Sequence, residues 1–579
     1  MTVAGLVALV ALVAGSAAVL NGAEASTVSA TPVVASPARE PMRIVQRDGN
    51  HALVQVAQAQ TAGPRTARVS AEQPVDVSLT DRGGQPAKGD VETVAIDLTT
   101  GQQYFLTAAE GHGVFGLPEG HYAFGAVITD ADSVTLAYQA NVAVPGSGTV
   151  GLDARLGRRV GVSLDDPSAR QVLATVFVAQ HTDAGLVAFP SSPVRVEDFQ
   201  RTPVFVTPTG ADAGVDLHLQ TVWTRNGTDG ASPYVYTLST GTSGALPRDP
   251  DYAVRKADLA KVVTRYDAQG TDGTATAGSF AHFAGFVGGF NAWSYSVPVA
   301  LPATRTEYFT PALTWVAKFA YGKDSNDPAT WEETFGEATY PRSGLFEQSW
   351  NSAPYGPAFP ATANTFTVAL RQPDDTISAA LSLYSDARPG HASGAWTYLG
   401  VTGTTELYEN GKLLMSSDQP GTFGKDATAT LSPGPATYRL SVRAHRDVAF
   451  SQYATDQRID WRFSSRHVAT QQNLPLLAVR YQTTVDSYGR TRAGRPCTVN
   501  IWLEANSATQ QPSATTAAVW ASYDDGKTWQ RIQVVTANGQ TRATLAPPRS
   551  ARFVSLRGTA HDQAGNSVDQ TVIRAFGLT

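Results

Sequence analysis

Apolar and polar positions alternate along most of this chain in short runs. From Ala67 onward RVSAEQPVDVSL, DVETVAIDL, QQYFLTA, HGVFGLP and HYAFGAVI follow one another, separated by RGGQPAKG, TTG, AAEG and PEG. Side chains point to opposite faces at successive strand positions, so period-two runs bounded by Gly-rich turns predict half-buried strands. The pattern recurs in LATVFVAQ and VDLHLQTVWTR, in ATYRLSVRA and RIDWRFSS, and in CTVNIWLEA, AAVWASY and TVIRAFGL. One segment departs from it. PDYAVRKADLAKVVTRYDAQG places Val254, Leu259, Val262 and Val263 at helical spacing with Gly270 as a stop, which predicts a single helix from Lys256 to Tyr266.

With 579 residues the chain is too long for one hydrophobic core, and a prior of roughly 150 residues per domain predicts about four. The expected fold class is all-β, a series of tandem β-sandwich domains over 67–157, 158–300, 301–473 and 474–579. The second carries the helix, the third is a larger jelly-roll-like sandwich, and the fourth is Ig-like or fibronectin type III-like. Residues 1–30 contain the apolar run Val3 to Leu20 followed by small residues, the pattern of a signal peptide or an anchor, although no Lys or Arg precedes Arg39. Residues 31–66 are expected to be a linker. Charged residues are 16 % of the chain and the net charge is -6, which gives no basic field for nucleic acid. Cys497 is the only cysteine, so neither an intrachain disulfide nor a cysteine-built zinc site can form.

Candidate chemistry is sparse. Ser243, in TGTSGALP, is a weak nucleophile candidate without upstream Asp and His motifs; His112 and the Asp216 to His218 stretch sit in strand patterns. Lys323 to Asp327 offers close oxygen ligands for calcium, with Glu332 and Glu333 following, yet without the spacing of a calcium loop; a solvated turn is the expectation. No catalytic, cofactor-binding or metal residue is therefore assigned, and no cofactor is expected. Trp293, Trp315, Trp331, Trp350 and Trp396 cluster mid-chain, where flat rings would suit sugar, whereas Trp461, Trp502 and Trp520 alternate as core-facing residues should. SYDDGKTW, Ser522 to Trp529, predicts a hairpin with the Trp529 ring covering apolar surface, and HDQAGNS predicts a second tight hairpin.

Three resemblances follow from these segments. SYDDGKTW resembles the Asp-box of sialidases and other glycan-handling propellers, but a single copy specifies one hairpin and no propeller period is present. The stretch from RGGQPAKG to GVFGLPEGHY resembles transthyretin-like or collagen-adhesin B-type modules. The ordered set VGLDARLGRRVGV, FEQSWNSAPYGP, ELYENGKLL, IDWRFSS, ASYDDGKTW and VSLRGTAHDQAGNSVDQTVIRAFGL resembles the C-terminal accessory region of large secreted subtilisin-like serine proteases of actinomycete type, and MRIVQRDGNHALVQV is similar to their propeptide. That likeness implies a secreted, bacterial, non-catalytic protein whose partner is a protein or polysaccharide at the cell exterior, touching a membrane only where the N-terminal segment stays uncleaved. Two alternatives stand beside it. One is a part of a subtilisin-like endopeptidase whose catalytic domain is lost, truncated or on another chain; the other is a glycan-binding or glycan-hydrolysing protein.

Overall fold

The computed structural model describes residues 47–48, 51–57 and 72–579 apart from the short stretches 146–148, 283–288, 323–330, 361–367, 395–399, 424–428, 450 and 507–514. The chain is all-β, built as packed sheets. Among the described residues the only helical turns are two 3-10 turns, Ala154–Leu156 and Lys256–Asp258. The expected signal or anchor, residues 1–30, lies outside the described residues.

The helix predicted from Lys256 to Tyr266 is not formed. After the short turn Lys256–Asp258 the chain runs as a strand, Ala260–Tyr266, with Ala260, Val262, Thr264 and Tyr266 buried at period two. Two β-branched valines and Thr264 suit a pleated surface better than a helix. Neighbouring strands on both sides, Ala303–Phe309 and Gly344–Trp350, complete its hydrogen bonding. The expected linker is also interrupted, because His51–Ala57 pairs antiparallel with Gly289–Tyr295. HALVQVA carries the β-branched alternation of a strand inside a segment whose flanks are poor in apolar mass.

The first sheet holds nine strands, and its strand Asp90–Asp97 shows why layers stack here. Ala95 packs with Val75, Val77 and Phe124 in one core, while its neighbours Val94 and Ile96 pack with Val176, Val178 and Leu217 of the next sheet in another. A strand covered on both faces reads as a continuous apolar run.

The expected divisions do not separate independent sheets. Val204–Val206 joins the first sheet by pairing in parallel with Val134–Val144, across position 157. Val297–Leu301 pairs with Gly273–Ala281, and Ala260–Tyr266 with Ala303–Phe309, across position 300. Position 473 is bridged most heavily. One nine-stranded sheet contains Val401–Glu409, Ala436–Arg446 and Asp456–Ser465 together with Thr515–Ser522, Phe553–His561 and Ser567–Leu578. Its inner face, with Leu440, Ile459, Trp461, Val568 and Val572, covers a four-stranded sheet that contributes Val479, Tyr481, Ile501 and Leu545. The two facing sheets make a β-sandwich, but its framework draws on strands from both sides of position 473. Pairing across such distances leaves no mark in local sequence, since a strand's pattern records its faces and not its neighbours.

Candidate functional site

Alternation assigns the outer face of that large sheet as firmly as the inner one. Along Asp456–Ser465 the residues Gln457, Ile459, Trp461 and Phe463 are buried, so Asp456, Arg458 and Asp460 point the other way. Register places Arg458 directly between Arg443 on one neighbour and Thr571 on the other, and Asp460 beside Asp569. The result is an open polar cleft of about 570 Å³, lined also by Asp525, Gly526 and Trp529 of the hairpin.

The hairpin is held by its own side chains. Ser522 Oγ donates to Asp524 Oδ1 at 2.7 Å and accepts from the Gly526 N–H at 2.9 Å. Thr528 donates its N–H and hydroxyl to the Asp524 carboxylate at 2.9 and 2.6 Å. Asp525 and Gly526 take φ of 58° and 81°, left-handed values that Asp tolerates and Gly favours. Asp525 in turn receives two hydrogen bonds from Arg574, at 3.0 and 2.8 Å. The Asp524–Asp525 pair is thus a turn device, as expected. HDQAGNS likewise forms its tight turn, with the Asn566 N–H donating to Asp562.

The Thr528 hydrogen bonds hold the Asp524 carboxyl down to about 2 from an ordinary 3.8. A depressed carboxylate contributes stability that is present above the unfolded value and lost as pH falls through the folded one. Carboxyl NMR should therefore give Asp524 a midpoint near 2, with the hairpin loosening between about pH 4 and 2; a midpoint near 4 would contradict the hydrogen bonding described.

Trp529 does not cover apolar surface as fully as expected. The ring is half-buried, sits against Gly526, and lines the cleft with Ile573. Nor do Trp502 and Trp520 face the core. The phase of their strands is set by Val499 and Ile501 and by Val519 and Ala521, which are buried, leaving both rings half-exposed on the opposite face. Trp502 donates to Glu504 at 2.9 Å, and the Arg557 guanidinium lies 5.1 Å from the Trp520 ring centroid. Trp461 is core, as expected, as are Trp315 and Trp350 of the mid-chain set. The side chains of Trp293, Trp331 and Trp396 lie outside the described residues.

Every carboxylate in the cleft is engaged. Ser441 and Arg443 reach Asp460 at 2.5 and 2.8 Å, Arg557 grips Asp569 at 3.0 and 2.6 Å, and His445 lies 2.9 Å from Asp456. Burial pushes the Asp460 carboxyl up, but these bonds outweigh it and hold it below its ordinary value. Arg458 differs. It is exposed, and among the described residues it has no carboxylate partner. Sequence reasoning missed it. The polar half of the alternation in RIDWRFSS was the available signal, but nothing local shows that its neighbours on the next strands are Arg443 and Thr571.

The nucleophile candidate proves to have unexpected neighbours. Ser243 donates to Asp216 Oδ1 at 2.7 Å, and His181 lies 3.0 Å from Asp216 Oδ2. Serine, aspartate and histidine meet, but in the wrong order. A nucleophilic serine passes its proton to imidazole, and the carboxylate orients that ring from the far side. Here the carboxylate stands between the other two. Burial raises the Asp216 carboxyl, yet hydrogen bonds from Ser243, the Gly244 N–H and His181 leave it below its ordinary value. His218 stacks on Phe177 at 4.8 Å, and burial lowers it to about 4. His112 is at the surface, 3.4 Å from Asp76. Ser243→Ala should leave casein cleavage at the background of the wild type and cost about 1–2 kcal/mol in urea unfolding by removing a hydrogen bond to a charged group. Cleavage that disappears with this change would restore the nucleophile.

Calcium finds no support in Glu332 and Glu333. Both are buried, Glu332 at 2.6 Å from Arg446 and Glu333 at 3.2 Å from Lys318. Lys323 to Asp327 lies outside the described residues. Among the described residues no group of three or more His, Cys, Asp or Glu side chains is placed to hold a metal ion.

No protein-family model and no curated protein matches the chain. Among solved structures it is similar to a putative adhesin from Bacteroides ovatus, at 9 % identity over 48 % of this chain and 88 % of that one, with a TM-score of 0.13. It is also similar to Salmonella alpha-2-macroglobulin reacted with methylamine, at 11 % identity over 90 % and 40 %, TM-score 0.16. The Escherichia coli alpha-2-macroglobulin activated by porcine elastase gives 8 % over 87 % and 53 %, TM-score 0.13. The chain thus spans about half or less of the macroglobulins, and likenesses this slight assign no function.

Proposed function

We propose that this chain is a non-catalytic binding protein of the cell exterior, related to the accessory region of secreted subtilisin-like proteases, and that it holds its partner in the Trp529 cleft. The observation that carries the reading is the cleft itself, where a half-buried aromatic ring stands beside side chains already fixed by ion pairs. Groups held in place before a ligand arrives lose little freedom on binding, so such a surface favours recognition. Hydrolysis of a glycan would need one protonated carboxyl and one free carboxylate across the scissile bond. The four cleft aspartates are each held by an arginine or a histidine instead. Export rests on the apolar run Val3 to Leu20.

The test is retention of the purified chain on a panel of immobilised polysaccharides, with release of reducing ends followed in parallel. Retention on at least one polymer, weakened by Trp529→Ala and without new reducing ends, is the expected result. Reducing ends that accumulate, or retention indifferent to Trp529→Ala, would defeat the reading.

A further inference from the structure

We infer that the Trp529 cleft is a subsite for a carboxylated sugar, with Arg458 receiving the carboxylate; this rests on the binding role proposed above and names its ligand class. The argument starts from a conflict in the sheet. Arg458 and Arg443 are direct cross-strand partners, and like charges in that relation repel. Arg443 is drawn aside to Asp460, and Asp456, two positions from Arg458, is engaged by His445. Arg458 is left as an exposed cation with a second guanidinium opposite and, among the described residues, no ion-pair partner of its own. An incoming carboxylate would supply it, since a guanidinium presents a planar fork that matches a carboxylate in two parallel hydrogen bonds.

The rest of the cleft selects the kind of acid. Four arginines, Arg443, Arg458, Arg557 and Arg574, face four aspartates, Asp456, Asp460, Asp525 and Asp569. The charges balance, so a polyacidic peptide would meet as many carboxylates as cations. A polymer with one carboxylate per hydroxyl-rich unit fits the balance, because paired aspartates keep lone pairs for hydroxyl donors and Thr571 offers a donor and an acceptor. Trp529 and Ile573 supply apolar area for the flat, C–H face of a pyranose ring.

The experiment is affinity electrophoresis of the full chain in gels containing polygalacturonate, alginate or hyaluronate, each beside its carboxyl-reduced counterpart, with poly-glutamate as a peptide control. At least one polyuronide should retard the wild type, its reduced counterpart should do so at least tenfold less, and added salt should weaken the effect. Arg458→Gln lies at an exposed position, and thermal melting will report whether the variant keeps its fold. It should lose about tenfold or more of the retardation, while Arg458→Lys recovers part of it. Equal retardation by a polyuronide and its reduced form, or retardation unchanged in Arg458→Gln, would overturn the carboxylate assignment and leave the binding role standing. Stronger retardation by poly-glutamate would overturn the sugar. Retention only on neutral polysaccharides of the wider panel would likewise reject the acid. Retention on no polymer at all would remove the binding role together with this inference.

Discussion

Arg446→Met should destabilise the fold by about 3–5 kcal/mol, the usual consequence of removing one member of a buried ion pair. The guanidinium is 1 % exposed, stands 2.6 Å from Glu332, donates to the Tyr453 carbonyl at 2.6 Å and lies 4.3 Å from the Tyr384 ring centroid. Glu332 is the reason the loss is large. Burial already lifts its carboxyl from 4.5 to about 7 against the pull of Arg446, and without that cation it must rise further. A carboxyl whose folded value lies above its unfolded one favours folding most at low pH, and that advantage is lost as pH rises through the folded value. The wild type should therefore lose some stability between about pH 4.5 and 7, and in Arg446→Met the decline should continue above 7. Urea titrations at pH 5, 7 and 8 measure both effects. Adding Glu332→Leu should recover most of the loss, because replacing a buried pair by apolar side chains is often near neutral. A loss below about 1 kcal/mol for Arg446→Met would mean that the pair does not join strands Trp331–Thr339 and Ala436–Arg446 as described.

The isolated fragment 474–579 should show no cooperative unfolding transition, although its sequence has the outline of a complete Ig-like domain. Cutting at 473 strips Ser567–Leu578 of seven paired residues on Asp456–Ser465 and removes Ile459 and Trp461 from the core. Trp461 is fully buried and donates its ring N–H to the Leu477 carbonyl at 2.7 Å, so Trp461→Ala in the full chain should cost about 3–5 kcal/mol. A fragment that melts cooperatively with a midpoint near that of the intact protein would refute this account of the shared sheet.

The strands were legible because burial on one face leaves a period-two trace, and the all-β class follows from that trace alone. The expectations that failed are ones that depend on neighbours. AKVVTRY carries both a helical spacing and an alternation, and only two flanking strands decide between them. Trp502 and Trp520 alternate with their surroundings as expected, yet the phase is set by Ile501 and Val519, and the rings point outward. The site was half legible in the same sense. SYDDGKTW announced its hairpin through Asp, Gly and Thr, whereas Arg458 acquires meaning only from Arg443 and Thr571, which lie on separate strands.

The large sheet also orders events in time. Its strand Ser567–Leu578 is central, with Asp456–Ser465 on one side and Phe553–His561 on the other. This 12-residue strand is therefore the keystone between two half-sheets, each with a bare edge until it arrives. Contacts so distant along the chain close slowly, because loop entropy is lost before pairing returns anything. Until Ser567–Leu578 has left the ribosome the sheet stays open along two unpaired edges, and any truncation before Ser567 would leave both exposed at once.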